Sequence, residues 1–218
     1  QFCGSLPLFD QTIIELACSN LSNLKQQGVG PGAHSQIVYA INITPDTLIS
    51  PSFVQSLDQL VDSHDLDPSM ICLEITEQAA LRNPGEAVVA MKKLRQLGFR
   101  LALDDFGTGM TSLGYLRDLP LDYVKIDKSF IRKSSQDKAS NLVVQFVVEL
   151  SKEIGFQTIA EGVEDMEQLL ELQAAGISIA QGYLITRPRP FLCKPQEWIF
   201  AQSGAQILTD HREPTSVV

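Results

Sequence analysis

Apolar positions along the chain alternate between two spacings. Residues three to four apart, the mark of one buried helix face, stand at Ile13, Ala17, Leu21 and Leu24, then at Phe53, Leu57, Leu60 and Val61. The same spacing returns at Val88, Met91 and Leu94, and at Leu142, Val143, Phe146, Val147, Leu150 and Ile154. Between these lie short apolar runs expected to be strands: Gln36–Ile43, Ile71–Thr76, Arg100–Asp104, Tyr123–Ile126, Thr158–Ala160 and Ile177–Ala180. Ser50 followed by Pro51 predicts the cap and first turn of the second helix, and Asn83-Pro84 opens the third. A last helix is expected over Glu164–Ala175. Gly98, Gly155 and Gly176 each close a helix just before a strand, where a left-handed cap lets a short turn feed a sheet. Alternating helices and strands predict an α/β fold with a parallel sheet.

Polar residues choose between an open sheet and a barrel. Asn42, Glu74, Asp104, Lys125, Glu161 and Gln181 each lie at or near the end of an expected strand. Catalytic groups gathered at the C-terminal ends of successive strands are the habit of the TIM-type barrel. Six strands so marked predict an eight-stranded barrel with about two strands not represented.

Composition removes some functions. The chain has 218 residues and a formal net charge of −9. That acidity excludes holding long nucleic acid by phosphate neutralisation. It leaves room for a small nucleotide whose phosphates meet bound cations. The four cysteines, at 3, 18, 72 and 193, form no ligand-like cluster and read as reduced thiols of a cytoplasmic protein. His34, His64 and His211 are scattered, which argues against a histidine metal site. No signal peptide is visible at the first residues, and no segment suits membrane insertion.

The densest chemistry is Asp104-Asp105-Phe106-Gly107-Thr108-Gly109, running off the strand residues Leu101-Ala102-Leu103. Adjacent carboxylates suit Mg²⁺ or Mn²⁺, hard ions that take oxygen ligands; alone, the run also reads as a turn. Glu74, Asn42 and Glu161 add oxygen donors at other strand ends. A carboxylate there is costly to bury unpaired, and a metal cluster resolves the cost. Lys125 reads either as an ion-pair partner of Asp104 or Asp105 or as a group that orients water.

These runs, in order Asn42-Ile-Thr, Glu74-Ile-Thr-Glu77, Asp104-Asp105-Phe-Gly-Thr-Gly, Val124-Lys125-Ile-Asp127, Ala160-Glu161-Gly-Val-Glu164 and Gln181-Gly-Tyr-Leu, resemble the EAL domain of cyclic di-GMP phosphodiesterases. The resemblance covers Gly4 to Pro190. It implies a TIM-like (β/α)8 barrel, one or two Mg²⁺ or Mn²⁺ ions, and hydrolysis of cyclic di-GMP to linear pGpG. Asn42, Glu74 and Asp104 are then ligands of one metal, and Asp104, Asp105 and Glu161 of a second, with Asp104 bridging. Lys125 would hold the attacking water, Glu161 would be the general base, and Gln181 and Glu164 would adjoin the substrate. Glu77 would anchor the loop that begins Phe106-Gly107-Thr108-Gly109 and couple it to a homodimer interface.

The Glu-Ala-Leu run that names the family, with its metal-binding Glu, is absent from the chain. The expectation is that this run and about two strands precede Gln1, and that sensory or GGDEF domains can stand upstream. The domain is expected over 1–191, with a packing helix around Trp198 and a disordered tail within 192–218. Two other readings share parts of the pattern: a non-catalytic cyclic di-GMP receptor, and an unrelated acidic barrel such as an enolase-like lyase.

Overall fold

The computed structural model describes residues 6–26, 38–108, 113–132, 137–177, 179–185 and 187. The start of the first expected strand, Gly109, and the expected helix and tail within 192–218 lie outside the described residues. The chain divides into two compact units, one of residues 1–104 with 108–122, the other of 105–107 with 123–218.

In the first unit the order is α1 (Leu6–Gln26), β1 (Tyr39–Asn42), α2 (Pro45–Leu48), α3 (Phe53–Ser63), a 3-10 turn (Pro68–Met70), β2 (Ile71–Thr76), α4 (Glu77–Arg82), α5 (Pro84–Gln96), β3 (Arg100–Phe106) and α6 (Leu113–Asp118). The last residues of β3 belong to the second unit. β1 pairs with β2 and β2 with β3, all parallel, with Asn42 opposite Glu74 and Thr76 opposite Asp104. Ile71, Leu73, Ile75, Leu101 and Leu103 are fully buried, as are Met91 and Leu94 on the inner side of α5. Each such side chain contributes about 1.5–3 kcal/mol by leaving water.

The second unit continues with β4 (Tyr123–Ile126), α7 (Lys128–Ile131), α8 (Lys138–Ile154), β5 (Gln157–Glu161), α9 (Met166–Ala174) and β6 (Ile179–Gln181). β4, β5 and β6 pair in that order, again parallel, with Glu161 opposite Gln181. Val144, Val147 and Val148 form the buried side of α8. Its Leu142 and Phe146, apolar in the sequence pattern, are exposed.

The strands Ile71–Thr76 and Tyr123–Ile126 have the expected bounds, and Gly98, Gly155 and Gly176 all adopt positive φ. Two further local expectations are corrected. The buried stripe of α1 is Asp10, Ile14, Cys18 and Leu21, whereas Ile13 faces solvent. Leu21 is shared with the expected stripe, but the buried positions before it are Cys18, Ile14 and the polar Asp10, which an apolar count passes over. Ser50 and Pro51 do not open α3, which begins at Phe53 after a turn closed by the Phe53 N–H on the Ser50 carbonyl. The capped, proline-led start lies instead at Thr44-Pro45, on the short α2.

Cys18 and Cys72 are buried thiols outside any disulfide, and burial pushes the Cys18 thiol above its ordinary pKa, so it acts as core filling. Among the described residues no helix is long and apolar enough to cross a membrane.

Candidate metal and active site

Parallel pairing decides which side chains share a face. In the first unit Asn42 and Glu74 are register partners, and Glu74 is paired with Ala102, two residues before Asp104. Side chains two apart on a strand point the same way. Asn42, Glu74 and Asp104 therefore line one face at the C-terminal ends of three neighbouring strands. Glu74 is buried, Asp104 half-buried and Asn42 exposed. The backbone there is fixed by the Ile43 N–H donating to the Glu74 carbonyl at 3.0 Å.

Strands β1 and β2 each run directly into a capped helix. Two residues after Asn42, Thr44 accepts from the Thr47 N–H at the start of α2. Two residues after Glu74, Thr76 accepts from the Ala79 N–H at 3.2 Å and starts α4. Glu77 is the first residue of α4 and is 1% exposed, so its carboxylate is held inside the fold rather than offered to solvent.

In the second unit Lys125 lies opposite Ile159, two residues before Glu161, so the same parity brings Lys125 and Glu161 together. Their Nζ and Oε1 are 2.8 Å apart, with the lysine side chain 5% exposed. Of the two ion-pair and water-holding readings open for Lys125, this geometry supplies a partner on a third strand end, Glu161. A carboxylate oxygen of Asp105 lies within 4.8 Å of one of Glu161. Asp105 itself has φ +56°, a left-handed conformation rare for a residue other than glycine and costly where it occurs. The turn that follows is completed by Gly107, where a Cβ would come 2.7 Å from the Phe130 ring. Thr108 is exposed beyond it.

Lys125, like Glu74, is followed at two residues by a helix cap. Asp127 accepts from the Ser129 N–H at 2.9 Å. Burial pushes the Asp127 carboxyl up, but its hydrogen bonds from Ser129 and the charge of Lys128 outweigh that and hold it below the usual range. At the end of β6 the exposed Gln181 accepts the Val163 N–H on its carbonyl at 3.1 Å. Glu164 turns to Arg132, with which it forms an ion pair, while its backbone N–H donates to Gln168.

The structure thus brings Asn42 to Glu74 in one unit, and Asp105 and Lys125 to Glu161 in the other. With Asp104 on the same face as Asn42 and Glu74, the donors offered are all oxygen: one amide and four carboxylates. Two oxygens bound to one cation at 2.0–2.6 Å can be no more than about 5 Å apart, which the Asp105–Glu161 spacing satisfies. The residues fit a hard divalent ion. Three features had no reading in the sequence: Asp10 behind Thr44, Arg132 on Glu164, and the contact of Gly182 with the Val163 backbone. Asp10 carried a signal, since it starts the α1 stripe that continues through Ile14 and Cys18.

Parallel strands alternating with helices, with acidic and lysine side chains at their C-terminal ends, place the chain among α/β barrels of the TIM-like kind. It belongs to the EAL domain family, whose model matches residues 2–188. The chain is 38% identical over 165 residues to the cyclic di-GMP phosphodiesterase PdeB of Shewanella oneidensis, a match over 75% of this chain and 19% of PdeB. It therefore spans less than a fifth of that relative's length. Among solved structures it is similar to the PaMucR phosphodiesterase in complex with c-di-GMP, with TM-score 0.77 and 30% identity, over 86% of this chain and 74% of that one. It is also similar to a manganese and cyclic di-GMP complex of BlrP1 from Klebsiella pneumoniae, with TM-score 0.73 and 29% identity, over 84% of this chain and 45% of that one.

Proposed function

We propose that this domain hydrolyses cyclic di-GMP to linear pGpG, using one or two Mg²⁺ or Mn²⁺ ions held by Asn42, Glu74, Asp104, Asp105 and Glu161. The observation that carries the reading is the 2.8 Å ion pair of the buried Lys125 with the half-buried Glu161, with the Asp105 carboxylate beside Glu161. Membership of the EAL family supports it, as do a relative named for this activity and similar structures holding this nucleotide.

A bound divalent ion would supply positive charge to the phosphate oxygens and acidify water at the site. The chain's residues do the rest. Glu161 accepts the proton that the attacking water loses as its oxygen bonds to phosphorus. Lys125, paired with Glu161 at 2.8 Å, orients that carboxylate and donates toward the same water. The P–O3′ bond breaks and the 3′ oxygen takes up a proton, leaving one 5′ phosphate and one free 3′ hydroxyl. Gln181 and Glu164, from the strand-end turns flanking Glu161, orient the nucleotide. In this reading the domain works in the cytoplasm as a homodimer, with Glu77 and the 106–109 turn coupling site to interface.

The test uses the intact protein. Glu161→Gln is expected to cut turnover roughly 10²–10⁴-fold while cyclic di-GMP still binds, and a chelator is expected to abolish turnover. Near-normal hydrolysis by that variant would remove Glu161 from its role. A metal-saturated wild type that binds cyclic di-GMP without opening it would be a receptor instead.

A further inference from the structure

We propose that Asp10, on α1, is a positioning residue for Asn42 and acts through Thr44. The inference rests on the reading of Asn42 as a metal ligand. Asp10 is 4% exposed, and a buried carboxylate must find donors or carry a heavy desolvation cost. It finds three on one oxygen. Its Oδ2 accepts from the Thr44 N–H at 2.8 Å, from the Thr44 hydroxyl at 2.7 Å and from the Thr47 hydroxyl at 2.5 Å. The Thr44 and Thr47 hydroxyls are themselves 2.9 Å apart.

This knot lies two residues beyond Asn42. On its other side Asn42 is tied into the ladder, opposite Glu74, with the Ile43 N–H on the Glu74 carbonyl. A strand end followed directly by a turn is free to pivot unless the turn is held. Here α1 holds it, through a residue 34 positions earlier in sequence. A charged acceptor makes these hydrogen bonds stronger than neutral ones. Groups that fix a ligand without touching the metal set its affinity, and losing one typically costs 10–100-fold.

A purely structural anchor and a positioning residue differ in what they move. In the intact protein, Mn²⁺ affinity is measured directly, by titration without nucleotide, alongside thermal unfolding. Asp10→Asn is expected to weaken Mn²⁺ about tenfold, and to restore kcat and the KM for cyclic di-GMP to near wild type once Mn²⁺ saturates. Thr47→Val, which keeps shape and removes one donor, is expected to weaken Mn²⁺ by a smaller factor and carries the test alone if Asp10→Asn does not fold. Thr44→Ser, which keeps both Thr44 donors, is expected to bind Mn²⁺ as wild type does. Unchanged affinity in Asp10→Asn and in Thr47→Val, with only the melting temperature lowered, would overturn the proposal. Asn42→Ala separates the two readings. If it weakens Mn²⁺ while Asp10→Asn does not, the positioning role fails alone; if Asn42→Ala has no effect, the metal reading of Asn42 fails first.

Discussion

The two units end their strands by different devices. In the first, a candidate ligand is followed at two residues by a threonine that caps the next short helix: Asn42 by Thr44, Glu74 by Thr76. In the second, the side-chain caps among the described residues are aspartates, Asp127 on α7, Asp137 on α8 and Asp165 on α9. The second unit also packs backbone on backbone at its strand ends. A Cβ on Gly182 would stand 2.2 Å from the Val163 carbonyl oxygen, a distance no side chain can share. After its candidate ligands the first unit caps with neutral hydroxyls, whereas the second uses charge and close approach. Damage to the first set of caps should therefore be local and graded, and damage to the second sharp and dependent on charge or size.

Charge gives the largest expected difference. Lys125→Met keeps volume but removes the ammonium that Glu161 meets, leaving that carboxylate next to Asp105. Removing the buried ammonium and leaving the half-buried carboxylate unpaired with it is expected to cost about 3 kcal/mol in metal-free protein, read by urea unfolding. An unchanged midpoint would mean that the pair contributes nothing to holding the second unit's strand ends.

Close approach comes next. Gly182→Ala must displace the Val163 backbone, and overpacking of that kind is expected to cost about 2 kcal/mol. Gly85→Ala is the matched control in the first unit. Gly85 lies in α5 with nothing within 4 Å of the point a methyl group would occupy, so alanine is expected to be neutral or to stabilise by up to about 1 kcal/mol through helix propensity. Equal effects at the two sites would erase the contrast between the units.

The threonine caps are expected to count for less. Thr76→Ala removes the acceptor of the Ala79 N–H and should cost about 1 kcal/mol. The accompanying signature is local: amide exchange at Ala79 should quicken while the strand β2 amides keep their protection. Uniform quickening across the first unit would show that the cap holds more than its own helix.

These contrasts also explain what the sequence made legible. The strands β2 and β4 were readable because a compact apolar run between polar punctuation has few other uses. The strand-end positions of the candidate residues, from Asn42 to Gln181, were readable because each polar residue closes a short apolar run. The short helices α2, α4 and α7 were not, because four to six residues cannot display a 3.6-residue period. Ser50-Pro51 and Thr44-Pro45 carry the same local signal, and only tertiary packing, with Asp10 beneath Thr44, makes the second one the capped start. Burial of Glu77 and the approach of Gly182 to Val163 are relations between segments, which spacing along one segment does not encode.

The smallest expected effect separates the caps by pH. A threonine hydroxyl does not titrate across the acid range, whereas the Asp127 carboxylate does, and its pKa lies below the usual value. A group whose folded pKa is depressed contributes its full stabilisation above its unfolded value, about 3.9, and loses it as pH falls through the lower folded value. Asp127 is half-exposed, so solvent screens the charge, and the contribution is roughly 0.5 kcal/mol or less. Asp127→Asn retains a good cap without the titration. Unfolding measured from pH 6 down to pH 2.5 should show the wild type losing slightly more stability than Asp127→Asn, with the gap opening below about pH 4. Thr76→Ala, compared with the wild type over the same range, should keep a constant offset. A gap that opened for Thr76→Ala, or stayed flat for Asp127→Asn, would contradict the assignment of a neutral cap to α4 in the first unit and a titrating cap to α7 in the second.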